Sequence, residues 1–269
     1  MVKKLYKHEF LAWLRVMPIL YGIMLAMAAI NRCIQLFEND SIYYDIIFGS
    51  SMTIYVIALV VGIAAPLLFG VVRFYRNLFT GEGYLSFTLP VTPANHLWVK
   101  VVTAVSFSLL SVIVAALSGV IITAGEVFHE VCKAAVYIVK EIPQALAGHL
   151  ALYCLEMVVL AIVGAFAAYF LYYMCICVGQ MSKKNRILAA VGVYFGVYLL
   201  TQILGTGLSI MMVVLEAAGV LERLSLLLEE YPKEAVHISL CAGILISAVV
   251  AAVCYLISHW IIRKKLNLE

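Results

Sequence analysis

The chain has 269 residues, of which 65% are hydrophobic and 12% charged; its formal net charge is +3 and its mean hydropathy +1.06. A soluble domain is roughly 45–50% apolar and about 25% charged, so a water-soluble core of this length could not enclose the apolar side chains present. The small net charge gives no basis for nucleic-acid binding.

Residues 1–15 place Tyr6, Phe10, Trp13 and Leu14 at helical spacing, continued by Met17, while Lys3, Lys4 and Lys7 crowd the other positions. That pattern fits either an interfacial helix along the inner leaflet or simple flanking anchors for the first crossing. No small-residue cleavage site closes the first apolar run, so no cleavable signal peptide is expected.

Windows of about 19 residues find six stretches able to cross a roughly 30 Å hydrocarbon layer. They run from Val16 to Ile34, Ile46 to Val72, Leu97 to Ala124, Leu150 to Gly179, Ile187 to Val214 and Ile238 to Ile262. The first is the weakest, because Arg15 and Arg32 bracket it and must snorkel toward headgroups. Uninterrupted apolar runs lack the alternation of barrel strands, so the predicted fold is an all-α membrane protein with six transmembrane helices. Spans 1 and 2 occupy residues 16–72, a cytoplasmic loop residues 73–96, spans 3 to 6 residues 97–262, and a tail residues 263–269.

Basic residues set the orientation. Lys3, Lys4, Lys7, Arg15, Arg73, Arg76, Lys100, Lys183, Lys184, Arg186, Arg263, Lys264 and Lys265 flank one side, 13 of the 18 in the chain. The opposite flanks hold only Arg32, Lys133, Lys140, Arg223 and Lys233, scattered among acids. The positive-inside rule therefore puts both termini in the cytoplasm.

The second apolar run carries Pro66 between Gly62 and Gly70, which predicts a kink. Beyond it, Gly81 and Gly83 break the chain, and Tyr84 to Leu89 form a helical turn and a half or a short extended piece, closed by Pro90. Thr92 and Pro93 provide a start signal for the third span. A water-exposed segment carrying Tyr84, Leu85, Phe87 and Leu89 exposes apolar surface, the mark of a docking site.

On the outer side, Val127, Val131, Ala134 and Ile138, and again Leu221, Leu224 and Leu228, recur at helical spacing and predict amphipathic external segments. His149, Tyr153 and Glu156 share a helical face at spacings of four and three; an acid within a span is a functional candidate by default. This stripe is a substrate-pathway candidate for a cationic or peptide ligand, or else Glu156 is satisfied near the outer interface by a tyrosine or water. Glu156 reads as standing alone, with His96, His237 and His259 on distant flanks. Gly192 and Gly196 form a G-x-x-x-G motif for helix packing, within the subunit or across a dimer, and Ala161, Gly164, Ala165 and Ala168 give the fourth span a small-residue face. Tyr169, Tyr172 and Tyr173 read as an aromatic belt.

The seven cysteines fall mostly within apolar runs and read as small hydrophobes; Cys33 and Cys132 both lie outside and could pair. Neither a metal site, a cofactor nor a catalytic residue is expected. An enzyme would want paired acids with a histidine, a metal cluster or a glycine-framed serine, and none is found.

The stretch from Arg73 to Val91, RFYRNLFTGEGYLSFTLPV, set in this architecture, resembles bacterial ATP-binding-cassette (ABC) transporter permeases, and more narrowly the small type 2 exporter permeases of Gram-positive bacteria. The likeness is specific over this segment and architectural elsewhere; Ser86 stands where the family pattern has threonine. It implies a multi-pass permease in the bacterial plasma membrane that exports a hydrophobic or amphipathic substrate such as a peptide, drug or lipid. It also implies a second permease subunit, identical or not, and a separate ABC ATPase subunit that docks on Gly81, Glu82, Gly83, Tyr84, Leu85, Phe87, Leu89 and Pro90. The absence of a G-x-x-x-x-G-K-[ST] phosphate loop fits that division. The alternative is a non-transporting membrane scaffold or sensor that recruits a cytoplasmic partner through the same loop.

Overall fold

A computed structural model describes residues 2–37, 39, 41–80, 91–124, 129–130, 132–134, 136–137, 149–182, 185–219 and 232–264. The described residues are helical with no strand, and six of the helices are long and apolar enough to cross a membrane. The chain forms two compact units, Met1–Glu141 and Ile142–Glu269.

The first unit contains α1 (Val2–Leu14), α2 (Met17–Gln35), α3 (Ile42–Phe79) and α4 (Pro93–Thr123). With 19 residues, α2 is about 28 Å long at 1.5 Å per residue, close to the thickness of the hydrocarbon, and with α1 it makes up one apolar run, Val2–Gln35. α3 overruns its apolar window at both ends and α4 at its start, because polar residues there continue the helices past the lipid layer. Ser41 caps α3 by accepting a hydrogen bond from the Tyr43 amide at 3.3 Å. Thr92 and Pro93 do begin α4, but the Thr92 side chain makes no cap bond; its carbonyl takes the Asn95 and His96 amides instead.

Along α3 the buried residues Ser51, Tyr55, Gly62, Pro66, Gly70, Phe74 and Leu78 form one stripe at intervals of four or seven. The chain remains helical through Pro66. Proline has no amide hydrogen, so the carbonyl four residues earlier, that of Gly62, loses its helical partner. Ser111 of α4 supplies the replacement, its hydroxyl donating to the Gly62 carbonyl. On another side of Gly62, a Cβ would lie 2.7 Å from Met24 Sδ, so glycine is what lets α2 approach.

Several other polar groups in this unit also pair inside it, although Trp13 Nε1, Asn31 Oδ1 and Ser51 Oγ are buried without a hydrogen bond among the described residues. Tyr21 Oη donates to the Phe107 carbonyl at 2.8 Å, the Tyr55 and Ser118 hydroxyls lie 2.9 Å apart, and Asn31 Nδ2 reaches the Met27 and Ser51 carbonyls at 2.9 and 3.3 Å. Each of these except the Met27 bond joins two different helices, as a solvent without hydrogen bonds demands.

The second unit contains α5 (Leu150–Gly179), α6 (Arg186–Ala217) and α7 (Pro232–Lys264). α5 and α7 run in the same direction, in register: Glu156 meets His237, Leu160 meets Gly243 and Phe170 meets Tyr255. At the far end of α5, Tyr169 and Tyr173 are buried at 3% and 1% exposure, so they belong to the core and not to the interfacial belt expected. Tyr172, half-buried, stacks on Tyr194 with centroids 5.6 Å apart. Cys175, Cys177 and Cys254 are buried among these apolar groups, while Cys33 and Cys132 are exposed free thiols. No residue of α6 is buried.

Removing the Ser111 hydroxyl should leave the Gly62 carbonyl unpaired and cost about 1 kcal/mol. Ser111→Ala is therefore expected to lower the Tm of the detergent-solubilised protein, and Pro66→Ala, which restores the amide, should make the same change nearly silent. Equal losses in both backgrounds would refute the pairing.

Candidate functional site

The segment expected to dock a partner, Gly81, Glu82, Gly83, Tyr84, Leu85, Phe87, Leu89 and Pro90, lies outside the described residues; its two supports do not. α3 delivers the chain to it at Phe79, and α4 receives the chain at Pro93. A single carboxylate ties these supports together. Glu9 of α1 accepts from Arg73 Nε at 2.7 Å and Nη2 at 3.3 Å, and from Lys100 Nζ at 3.4 Å. Arg73 lies seven residues before residue 80, and Lys100 seven after Pro93.

Glu9 and Lys100 are 7% and 6% exposed, so both charges are withdrawn from water. The carboxylate answers two cations, and the guanidinium fork grips both its oxygens, the geometry that makes such a pair directional. Aromatic packing seats the helix beside it. Trp13 is stacked on Phe107 at 5.1 Å and meets Phe69 edge-on at 4.9 Å, while Phe10 lies 5.1 Å from Phe107. α1 thus touches α3 and α4 along one face through Glu9, Phe10 and Trp13.

Sequence reasoning passed over Glu9. The signal was present, since an acid stands on the same helical face as Tyr6 and Trp13, opposite the lysines. An acid on the apolar face of a helix needs a buried cation.

In the second unit α5 and α7 assemble the other cluster. His237 Nδ1 lies 2.8 and 2.9 Å from the two Glu156 carboxylate oxygens, with the side chains 23% and 14% exposed. The expectation that Glu156 stands alone and His237 is remote is therefore corrected. Each lies in the second turn of its own helix; because the helices are parallel and in register, those turns meet. The stripe read from sequence does assemble around this pair. The Tyr153 ring sits 4.5 Å and the His149 ring 5.5 Å from the His237 ring, and Tyr153 Oη donates to the Lys233 carbonyl at 3.4 Å.

Gly192 and Gly196 meet no atom within 4 Å of where a Cβ would stand, and neither does Gly164, so among the described residues no close helix contact is made at these glycines. Close approach occurs instead at Gly179, where a Cβ would lie 2.6 Å from Ala190. The outer amphipathic segments are partly described. Residues 129–130, 132–134 and 136–137 are helical and exposed, including Ala134, whereas Val127, Val131, Ile138, Leu221, Leu224 and Leu228 lie outside the described residues.

No protein-family model matches the chain, and no curated protein or solved structure matches it either. Its class therefore comes from its own structure: an α-helical protein with the apolar helices of a multi-pass membrane protein.

Glu9→Ala would strand Lys100 in a buried site, a loss on the order of 3 kcal/mol. A marked fall in Tm is expected, with Glu9→Asp intermediate and the exposed control Lys4→Ala unchanged. For the second cluster, a double-mutant cycle on Glu156→Gln and His237→Gln should return a coupling of about 1 kcal/mol in thermal unfolding. Additive effects would show that the two groups do not support one another.

Proposed function

We propose that the chain is the membrane-spanning permease subunit of an ATP-driven transporter of the ABC exporter type, moving a hydrophobic or amphipathic substrate out through the bacterial plasma membrane. A separate ATPase subunit would supply the energy through residues 81–90, and a second permease subunit would complete the pathway. The observation that carries this reading is the Glu9 clasp, taken with the resemblance of residues 73–91. A docking segment can transmit force only if the helices on either side respond together. One carboxylate holding Arg73 and Lys100 meets that requirement.

In this mechanism, closure of the ATPase pair pushes on Tyr84, Leu85, Phe87 and Leu89. The displacement passes into α3 and α4 as a unit, because their ends share Glu9, and α2 follows through Asn31 and Tyr21. That is rigid-body gating, which packed helices perform more readily than graded bending. The open face of α6 at Gly192 and Gly196 supports contact with another copy or a paralogue in the bilayer.

Affinity purification of the tagged chain followed by mass spectrometry should recover a phosphate-loop ATPase. Tyr84→Ala/Phe87→Ala should abolish ATPase stimulation while leaving the Tm unchanged. Full stimulation in that variant would overturn the coupling role. Recovery of the ATPase without ATP-dependent efflux from any substrate-loaded vesicle would instead point to a scaffold.

A further inference from the structure

We propose that the outward face of α1 is a binding surface for anionic phospholipid headgroups, so that the anchoring of α3 and α4 responds to the charge of the membrane surface. The proposal rests on the inward orientation of the termini and not on the identity of any partner.

α1 divides into two faces of different character. Glu9 and Trp13 are buried against α3 and α4, whereas Lys3, Lys4, Lys7, Leu11 and Leu14 are exposed and recur at the spacing of one helical face, with exposed Arg15 in the turn that follows. None of those four cations forms an ion pair among the described residues, where the carboxylates engaged are Glu9 and Glu156. Four unpaired positive charges interleaved with two leucines, each 42% exposed, suit neither a soluble surface nor a protein core. They do suit the boundary where leucine enters the acyl region and the lysine stem reaches back to phosphate.

The depth of α1 agrees with this assignment. Only Arg15 and Val16 separate the end of α1 at Leu14 from the start of α2 at Met17, and the 19 residues of α2 nearly match the hydrocarbon thickness, which keeps α1 close to the membrane surface. Glu9 stands level with Lys100, and exposed Trp98 lies two residues earlier on α4, a side chain favoured at the headgroup boundary. A zwitterionic surface offers the lysines no net attraction. An anionic one attracts each basic residue near it, roughly fivefold in apparent affinity apiece.

The test places the full-length protein in nanodiscs of phosphatidylcholine alone and in nanodiscs mixing phosphatidylcholine with phosphatidylglycerol, and follows hydrogen exchange of residues 2–15 by mass spectrometry. Exchange should be at least about fivefold slower in the anionic discs, the effect of a single basic residue. The difference should shrink in high salt, as the screening length falls from ~10 Å at 0.1 M to ~3 Å at 1 M. Lys3→Gln/Lys4→Gln/Lys7→Gln should lose the difference while exchange in α2 and α4 stays at the wild-type level; the single change Lys7→Gln, with a smaller loss, carries the test if the triple variant unfolds. Equal exchange in the two lipid mixtures overturns the proposal, as does a lipid difference that survives loss of the lysines. A triple variant that loses a copurifying ATPase but shows no lipid dependence would assign this face to protein docking and refute it equally.

Discussion

The hydrocarbon of a bilayer can neither donate nor accept a hydrogen bond, and that deficiency governs where this chain puts its polar atoms. It is sharpest at Pro66. A proline within a spanning helix removes the partner of the Gly62 carbonyl, water cannot replace it, and the hydroxyl of Ser111 on a neighbouring helix does so. Because that bond fixes α4 against α3 at one height, the pairs above and below it fall into register: Tyr55 with Ser118 toward one end, Tyr21 with the Phe107 carbonyl toward the other. The same demand, applied to charge, produces the Glu9 clasp at the end of the unit and the Glu156–His237 pair in the second unit.

The clasp and the aromatic seat beside it divide the work of holding α1. Phe10 and Trp13 supply apolar contact, which is strong but tolerant of sliding, and Glu9 supplies direction, which fixes α1 against two helices at once. Neither alone would specify the position. A two-cation site is also asymmetric in its failure. Loss of Arg73 leaves a compensated acid–lysine pair, whereas loss of Glu9 leaves two cations facing each other at the ends of the same two helices.

Much of the fold was legible before the structure. The six crossings follow from unbroken apolar length, and the α5 boundaries, Leu150 and Gly179, match the apolar window because charged and polar flanks stop abruptly there. α3 extends past its window on both sides, since hydropathy sees the lipid-facing portion of a helix and not its continuation into water. Pairings between helices were not legible. Glu156 and His237 are 81 residues apart, and although six alternating crossings make α5 and α7 run in the same direction, nothing in either segment states that they are neighbours with their second turns aligned. Burial within an apolar span was equally hidden. Tyr169 and Tyr173 are core while α6 buries nothing, yet both segments look alike to a hydropathy scale, because lipid-facing and protein-facing side chains are equally apolar.

Lys100 joins Glu9 across 91 residues of chain, and this has a consequence for biogenesis. A ribosome delivers the acid first, its arginine much later and its lysine later still. Through that interval the carboxylate can be solvated only at the aqueous boundary, so the leading helix must wait beside the translocon unseated. Closure of the first unit is thus timed by arrival of the third crossing, and a chain truncated before it should present a free, protease-sensitive amino-terminal helix.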